Sequence, residues 1–224
     1  MAQAQAQAQT HSTVGEDYVI AIYRLQATGE PVVGARLAEQ LGVAPPSVTE
    51  MLGRLRREGL VGSEKRIRLT DDGLAVARAL VSRHRLVERF LVDVLGFGWD
   101  EVHDEAHRLE HALSSRVTER LAEFLGHPAT CPHGHPIMED GAVEPDLDLR
   151  PLSAVGAGGS GVVRRIAVED SSLLGLLSEL GIALDTTVRV ERVDPYDGPL
   201  HIDVGGRPAV IGAAAAREVL VERS

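Results

Sequence analysis

Apolar side chains at Tyr18, Ile22 and Leu25 are spaced by three and four, which predicts a helix over residues 15–28 that Gly29 ends. The same spacing returns at Val33, Leu37, Ala38 and Leu41 before Gly42, and again at Val48, Met51, Leu52 and Leu55. Pro45 and Pro46 open that third helix, where a missing N–H costs little. Two helices joined by a short glycine-containing turn predict a helix-turn-helix. The following stretch, LVGSEKRIRLTDDG, alternates apolar and polar positions across a tight turn and predicts a small hairpin, the wing of a winged module. A long amphipathic helix is then expected from Thr70 to Leu95, capped by Thr70 or Asp71, and a second from about Asp100 to Leu125. Periodicity stops over residues 126–161, which are rich in Pro and Gly. Beyond them VVRRIAV, TTVRVERVD, LHIDVGG and PAVIG alternate as short strands, with one helix at SLLGLLSEL.

The expected organisation is a low-complexity disordered tail over 1–13 and a winged helix-turn-helix DNA-binding domain over 14–73. A helical domain over 74–140, a linker over 141–158 and a β-rich domain over 159–224 follow. The fold class is mainly α with small β parts. A chain of 224 residues, at roughly 150 per domain, is long enough for this. No apolar run approaches the roughly 18 residues that span a bilayer, and the start, MAQAQAQAQTHST, lacks the basic and apolar regions of a signal peptide. A cytoplasmic protein with no membrane partner is expected. The lone cysteine, Cys131, excludes an internal disulfide and multi-cysteine zinc knuckles.

The net charge of −10 argues against a nonspecific polyanion binder, but the charge is unevenly placed. Residues 36–89 carry 11 basic and 7 acidic side chains, whereas residues 90–149 carry 3 basic and 13 acidic ones. A basic module followed by a His-rich acidic stretch suggests contact with phosphates and capture of a cation, although solvated faces look the same by charge alone. Only one of the 23 basic residues is a lysine, so arginines must make most phosphate contacts.

The sharpest chemical signal is VHDEAHRLEH. His103, His107, Glu110 and His111 fall at i, i+4, i+7 and i+8, within an arc of about 100° on one helix. His84 and Glu88 lie one turn apart on the preceding helix, and the first helix offers Glu16 and Asp17. Together these helices can build one or two sites. Imidazole and carboxylate donors suit Mn²⁺, Fe²⁺, Co²⁺ or Zn²⁺. A metallohydrolase is the competing reading. Against it, HxxxHxxEH differs from the HExxH arrangement, and no phosphate loop or nucleophilic dyad is placed by the sequence.

A winged helix-turn-helix followed by RHRLVERFL, VHDEAHRLEHALS and PHGHPI resembles the diphtheria toxin repressor and manganese transport regulator family of metal-dependent repressors, over about residues 14–224. The resemblance implies a homodimer, a helical dimerisation domain carrying two metal ions per subunit, and a C-terminal SH3-like β-barrel. It implies a primary site of Asp17, His107, Glu110 and His111, and an ancillary site of His84, Glu88 and His103. Asp170 and Leu173 match the positions where the iron-sensing branch adds two further ligands; only Asp170 can ligate, with Glu169 beside it. Arg85 matches an anion-binding arginine. Asp17 is of the manganese type, whereas His107 replaces both the cysteine of the iron branch and the usual glutamate of the manganese branch. Loss of both soft sulfur ligands favours Mn²⁺, with Fe²⁺ the alternative and Co²⁺ or Zn²⁺ tolerated. Cys131, His133 and His135 in TCPHGHP could form another site, since Cys and His are good zinc ligands, but they read as a structured turn with both histidines at the surface, and Phe97 and Trp99 as core.

A recognition-helix N-terminus enters the major groove, which singles out Pro46, Ser47, Thr49 and Glu50 for base contact and Arg54, Arg57, Lys65 and Arg66 for phosphates. The expected partner is operator DNA with an inverted repeat, bound by paired dimers, and the expected function is metal-dependent repression of metal-homeostasis genes.

Overall fold

A computed structural model describes residues 12–27, 29, 31–138, 148–168 and 170–223. The chain divides into two compact units, one ending at Val81 and the other starting at Ser82. Most of the expected tail, Glu169 and residues 141–147 of the expected linker lie outside the described residues.

The first unit holds α1 (Thr13–Ala27), α2 (Gly34–Leu41), α3 (Pro45–Arg57) and the start of α4 (Asp71–Asp93). The periodic apolar positions read from the sequence form its core: Tyr18, Ile22, Leu37, Val48, Leu52 and Leu55 are all at most 5% exposed. Burial also raises the Tyr18 phenol above its ordinary value. α2 stops at Gly42, whose φ of 63° is the left-handed cap conformation that glycine adopts without cost. The wing is reduced to one antiparallel bridge, Val61 with Leu69, around the bend at 63–66. Its base is tied down because Leu69 N–H donates to Gln26 Oε1 at 2.9 Å. Thr70 caps α4 as expected, its Oγ1 accepting from Gly73 N–H at 3.0 Å. Gly73 is obligatory, since a Cβ there would lie 2.1 Å from the Leu60 carbonyl oxygen.

The second unit contains the rest of α4, then α5 (Val102–Glu110) and α6 (Ser115–Phe124). The single helix expected over 100–125 is therefore two. His111 caps the end of α5, and Ser114 restarts the chain as an N-cap whose hydroxyl accepts from Val117 N–H. Val87, Leu91, Val102 and Ala106 make a small core, joined at its edge by Phe97. Residues 127–138 then form an ordered loop closed by a bridge between Thr130 and Pro136.

Six antiparallel strands follow in the order β1-β6-β2-β3-β4-β5. They are β1 (Leu149–Pro151), β2 (Ser160–Ile166), β3 (Thr187–Val193), β4 (Leu200–Val204), β5 (Arg207–Ile211) and β6 (Val219–Arg223). α7 (Ser171–Leu180) and α8 (Ala213–Glu218) complete this SH3-like domain. Part of the expected linker is built into it: 149–151 form β1, and Leu152 and Val155 are buried at 0% and 2% exposure. Trp99 packs at the edge of the same core, as expected of a core residue.

Candidate metal centre

α4 places His84 and Glu88 one turn apart on the face that meets α5, and both side chains are almost fully buried. His84 Nε2 lies 3.0 Å from Glu88 Oε1 and 3.0 Å from Nδ1 of His103 on α5. His103 Nδ1 is 3.3 Å from the same Glu88 oxygen. These three residues offer ligand atoms all within 4.8 Å of one another. Two imidazoles and a carboxylate converging in a buried space match the donor chemistry of a first-row divalent cation.

The other nitrogen of His84 points along the helix pair to a second carboxylate. His84 Nδ1 is 2.8 Å from Glu110 Oε2, and Glu110 Oε1 is 2.8 Å from His107 Nδ1 and 3.3 Å from His111 Nε2. Glu110 is 1% exposed, whereas the His107 side chain is half-exposed. The sequence-expected quartet on α5 thus splits by partner: His103 joins Glu88, while His107 and His111 gather around Glu110. Desolvation alone would lower the His84 pKa, but hydrogen bonds donated by its ring to Glu110 and Glu88 outweigh it and raise the pKa above the ordinary 6.5. Burial would likewise raise Glu110, yet the hydrogen bond to His84 and the imidazoles of His107 and His111 hold it below its ordinary range. His84 and Glu110 therefore stabilise each other's charged forms, and a cation taken up by His84 would have to displace its proton.

Glu88 has a second set of neighbours in the loop after α6. His133 is 0% exposed and His135 half-buried, which corrects the expectation that both lie at the surface, and Cys131 is likewise 0% exposed. Glu88, Cys131 and His133 offer ligand atoms within 4.8 Å of one another, with His133 Nδ1 at 3.7 Å from Glu88 Oε2. His133 Nε2 donates to the Trp99 carbonyl at 2.7 Å, so Nδ1 is the nitrogen aimed at Glu88 and Cys131. The ring also stacks on the indole of Trp99, with centroids 5.8 Å apart. His135 Nε2 donates to the Ile166 carbonyl, and Ile166 N–H donates back to the His133 carbonyl, anchoring the loop on β2. Gly134 allows that approach: its φ is 86°, and a Cβ there would sit 2.0 Å from the Arg164 carbonyl oxygen. Arg85 Nη1 donates to the Pro136 carbonyl at 2.6 Å, so the residue matched to an anion site here clamps the same loop. Cys131 and His133, two apart in TCPHGHP, were the available sequence signal; what it could not give was the burial.

Asp17 sits half-buried on α1 in the first unit. Asp170 is exposed and caps α7, its Oδ1 accepting from Leu173 N–H at 2.9 Å, and it joins none of the ligand groups found among the described residues.

On α3, Pro46, Ser47, Thr49, Glu50, Arg54 and Arg57 are all exposed, opposite the buried Val48, Leu52 and Leu55. Lys65 and Arg66 are exposed in the wing. The structure adds Arg56 and Arg68 to this cationic surface, with Arg56 Nε donating to the Gly62 carbonyl at the wing's base. Among the described residues, no helix is long and apolar enough to cross a membrane.

Three family models match in succession. They describe an iron dependent repressor N-terminal DNA binding domain over residues 11–69, an iron dependent repressor metal binding and dimerisation domain over 70–139, and a FeoA domain over 150–223. The iron-dependent repressor IdeR of Mycobacterium tuberculosis is 36% identical over 222 residues, covering 93% of this chain and 96% of that protein. The diphtheria toxin repressor of Corynebacterium diphtheriae is 39% identical over 124 residues, 54% of this chain and 55% of that one. A solved manganese-dependent transcriptional repressor in complex with manganese superposes with a TM-score of 0.85 at 36% identity, covering 94% of this chain and all of that one. ScaR with bound Cd²⁺ gives a TM-score of 0.79 at 32% identity, covering 94% and 99%.

Proposed function

The chain belongs to the family of metal-dependent transcriptional repressors that includes IdeR and the diphtheria toxin repressor, and on that premise we propose that it is a manganese-responsive repressor of metal-homeostasis genes. It acts in the cytoplasm as a homodimer, with paired dimers on an inverted-repeat operator. The observation that carries this reading is the convergence of His84, Glu88 and His103 in a buried space, in a chain that also presents an exposed basic recognition helix.

Each subunit takes two cations. His84, Glu88 and His103 hold one, with Glu88 extending its shell toward Cys131 and His133. His107, Glu110 and His111 hold the other, completed by Asp17 as the sequence resemblance implies. Bound there, a divalent cation supplies a fixed positive charge that replaces protons shared among the imidazoles and carboxylates. Asp17 is the coupling ligand because it belongs to the DNA-binding unit. DNA affinity rises by the difference in cation affinity between DNA-competent and incompetent states, and DNA strengthens cation binding by the same factor. Asp170 and Glu169 are further candidate donors from the C-terminal domain, and Arg85 a candidate anion ligand once freed from Pro136.

Binding is tested by fluorescence anisotropy on the promoter of a manganese or iron uptake gene, at fixed salt, first with chelator and then with Mn²⁺, Fe²⁺, Co²⁺ or Zn²⁺ under anaerobic conditions. Binding that appears only with metal is the expected result, and equal binding in chelator would sink the reading. The Fe²⁺ alternative is favoured by one observation, the buried Cys131 thiol beside Glu88, because sulfur selects softer ions. Cys131→Ser separates the two: an affinity loss larger for Fe²⁺ and Zn²⁺ than for Mn²⁺ marks the thiol as a ligand, and an equal response leaves it out.

A further inference from the structure

Glu50 stands out on a surface otherwise suited to a polyanion. It lies on the exposed side of α3 with Pro46, Ser47, Thr49 and Arg54. Arg54, four residues on and correctly spaced for an i,i+4 pair, instead pairs with Glu58 at 2.7 Å. Arg57 Nε folds back onto the Gly53 carbonyl at 3.3 Å, Arg56 Nε reaches Gly62 at 3.2 Å, and Thr49 Oγ1 donates to the Pro45 carbonyl at 3.3 Å. Glu50 is drawn into none of these pairs. The helix therefore presents a carboxylate, in the segment that a recognition helix inserts into the major groove, with its cationic neighbours turned elsewhere.

An ionised carboxylate can only accept hydrogen bonds. In the major groove guanine offers acceptors, and thymine an acceptor and a methyl group. Adenine offers its N6 donor beside the N7 acceptor, which repels a carboxylate. Cytosine alone offers an amino donor with no acceptor beside it. Ser47 and Thr49 can donate or accept and so carry no such fixed preference, and Pro46 has no hydrogen-bonding side chain.

Resting on the repressor reading above, we infer that Glu50 is a specificity-determining residue that reads the N4 amino group of a cytosine in each operator half-site. Its charge also opposes the phosphates, so the carboxylate weakens nonspecific binding while sharpening choice among bases. Gln in its place gains a donor, fits the adenine N6/N7 pair and loses the repulsion.

The test is selection from a pool of randomised duplexes by the full-length, Mn²⁺-saturated protein, followed by anisotropy titrations on the winning site and its single-base variants. The wild type should enrich a motif with a fixed C·G pair in each half-site, preferred about tenfold over other pairs. Glu50→Gln should move the preference at that pair to A·T, and Glu50→Ala should leave it degenerate with all other positions unchanged. Both variants should bind nonspecific duplex more tightly than the wild type. A wild-type motif that both variants reproduce unaltered overturns the inference and leaves the repressor reading standing. Failure of the wild type to enrich any metal-dependent motif overturns both.

Discussion

The two units place their charged residues in opposite ways. In the first, 18 described apolar residues form the buried core, and the arginines of α3 and the wing lie outside it. In the helical part of the second, the buried apolar core among the described residues is four side chains, while His84, Glu88 and Glu110 are buried at 4%, 0% and 1% exposure. The same helix, α4, serves both: its first half contributes Leu80 and Val81 to an oily core, and its second half contributes a histidine and a glutamate to a polar one. Burying ionisable groups is costly unless each is paired. The DNA-binding unit holds itself together by apolar packing, then, whereas the α4–α5 pair depends on its imidazole–carboxylate network.

The largest expected effect breaks this network. Glu88→Ala should destabilise the chelator-treated protein by about 3–5 kcal/mol, because it leaves His84 and His103 without their common carboxylate in a buried site. Urea unfolding checks it, and a change below about 0.5 kcal/mol would show that the network contributes little. Next in size is stabilisation by metal. Mn²⁺ at a hundredfold excess over its Kd should add about 2.7 kcal/mol per site to the wild type, and markedly less to Glu88→Ala. The single Trp99, stacked on His133, should report loading of the Cys131–His133 side through its emission.

A pH series sharpens the comparison further, since metal-free and metal-bound forms should respond with opposite sign. His84 is raised above 6.5, so the stability it contributes without metal is complete below 6.5 and is lost as pH rises through the raised value. Glu110 is lowered below 4.5, so its contribution is complete above 4.5 and is lost as pH falls through the lowered value. This pair therefore supports the chelated protein best between pH 4.5 and 6.5. Cation binding requires His84 to give up its proton, so the stabilisation by Mn²⁺ should grow as pH rises through that range and beyond. Denaturation curves at several pH values, with chelator and with Mn²⁺, test both signs; a metal increment that falls with rising pH would remove His84 from the ligand set.

The difference between the regions also explains what the sequence made legible. Helical spacing announced α1 to α4 because Ile22, Leu37, Leu52 and Leu55 recur with the period of a helix packed on an apolar core. The pairing of His84 with Glu88 was legible for a similar reason, since residues one turn apart share a helix face, whereas their meeting with His103 depends on how α4 packs against α5. Helix periodicity ran straight through HALS, and only the capping chemistry of Ser114 marks where the chain restarts as α6. The burial of Cys131 and His133 was illegible because it depends on long-range contacts: Gly134 against the Arg164 carbonyl, His133 against Trp99 and Arg85 against Pro136. A loop rich in Pro and Gly looks alike in sequence whether it faces water or is pinned to a strand by such contacts.

The smallest expected stability change comes from the DNA-binding surface, and it separates the units most cleanly. Arg54 pairs with Glu58 at 2.7 Å, but its side chain is 45% exposed, so solvent screens the pair and Arg54→Ala should change stability by no more than about 0.5 kcal/mol, with or without metal. Metal affinity should be unchanged for the same reason: the arginine touches none of the ligand groups. Binding to operator should nevertheless weaken, and the slope of log affinity against log salt should fall by about one, because one phosphate contact and its released counterion are lost. Removing Glu88 should do the reverse, costing stability and metal response while leaving the salt slope of whatever DNA binding survives unchanged. If Arg54→Ala instead left the slope intact, Arg54 would be solvated surface, and phosphate contact would have to come from Arg56 or Arg57 of α3 or from Lys65, Arg66 and Arg68 of the wing.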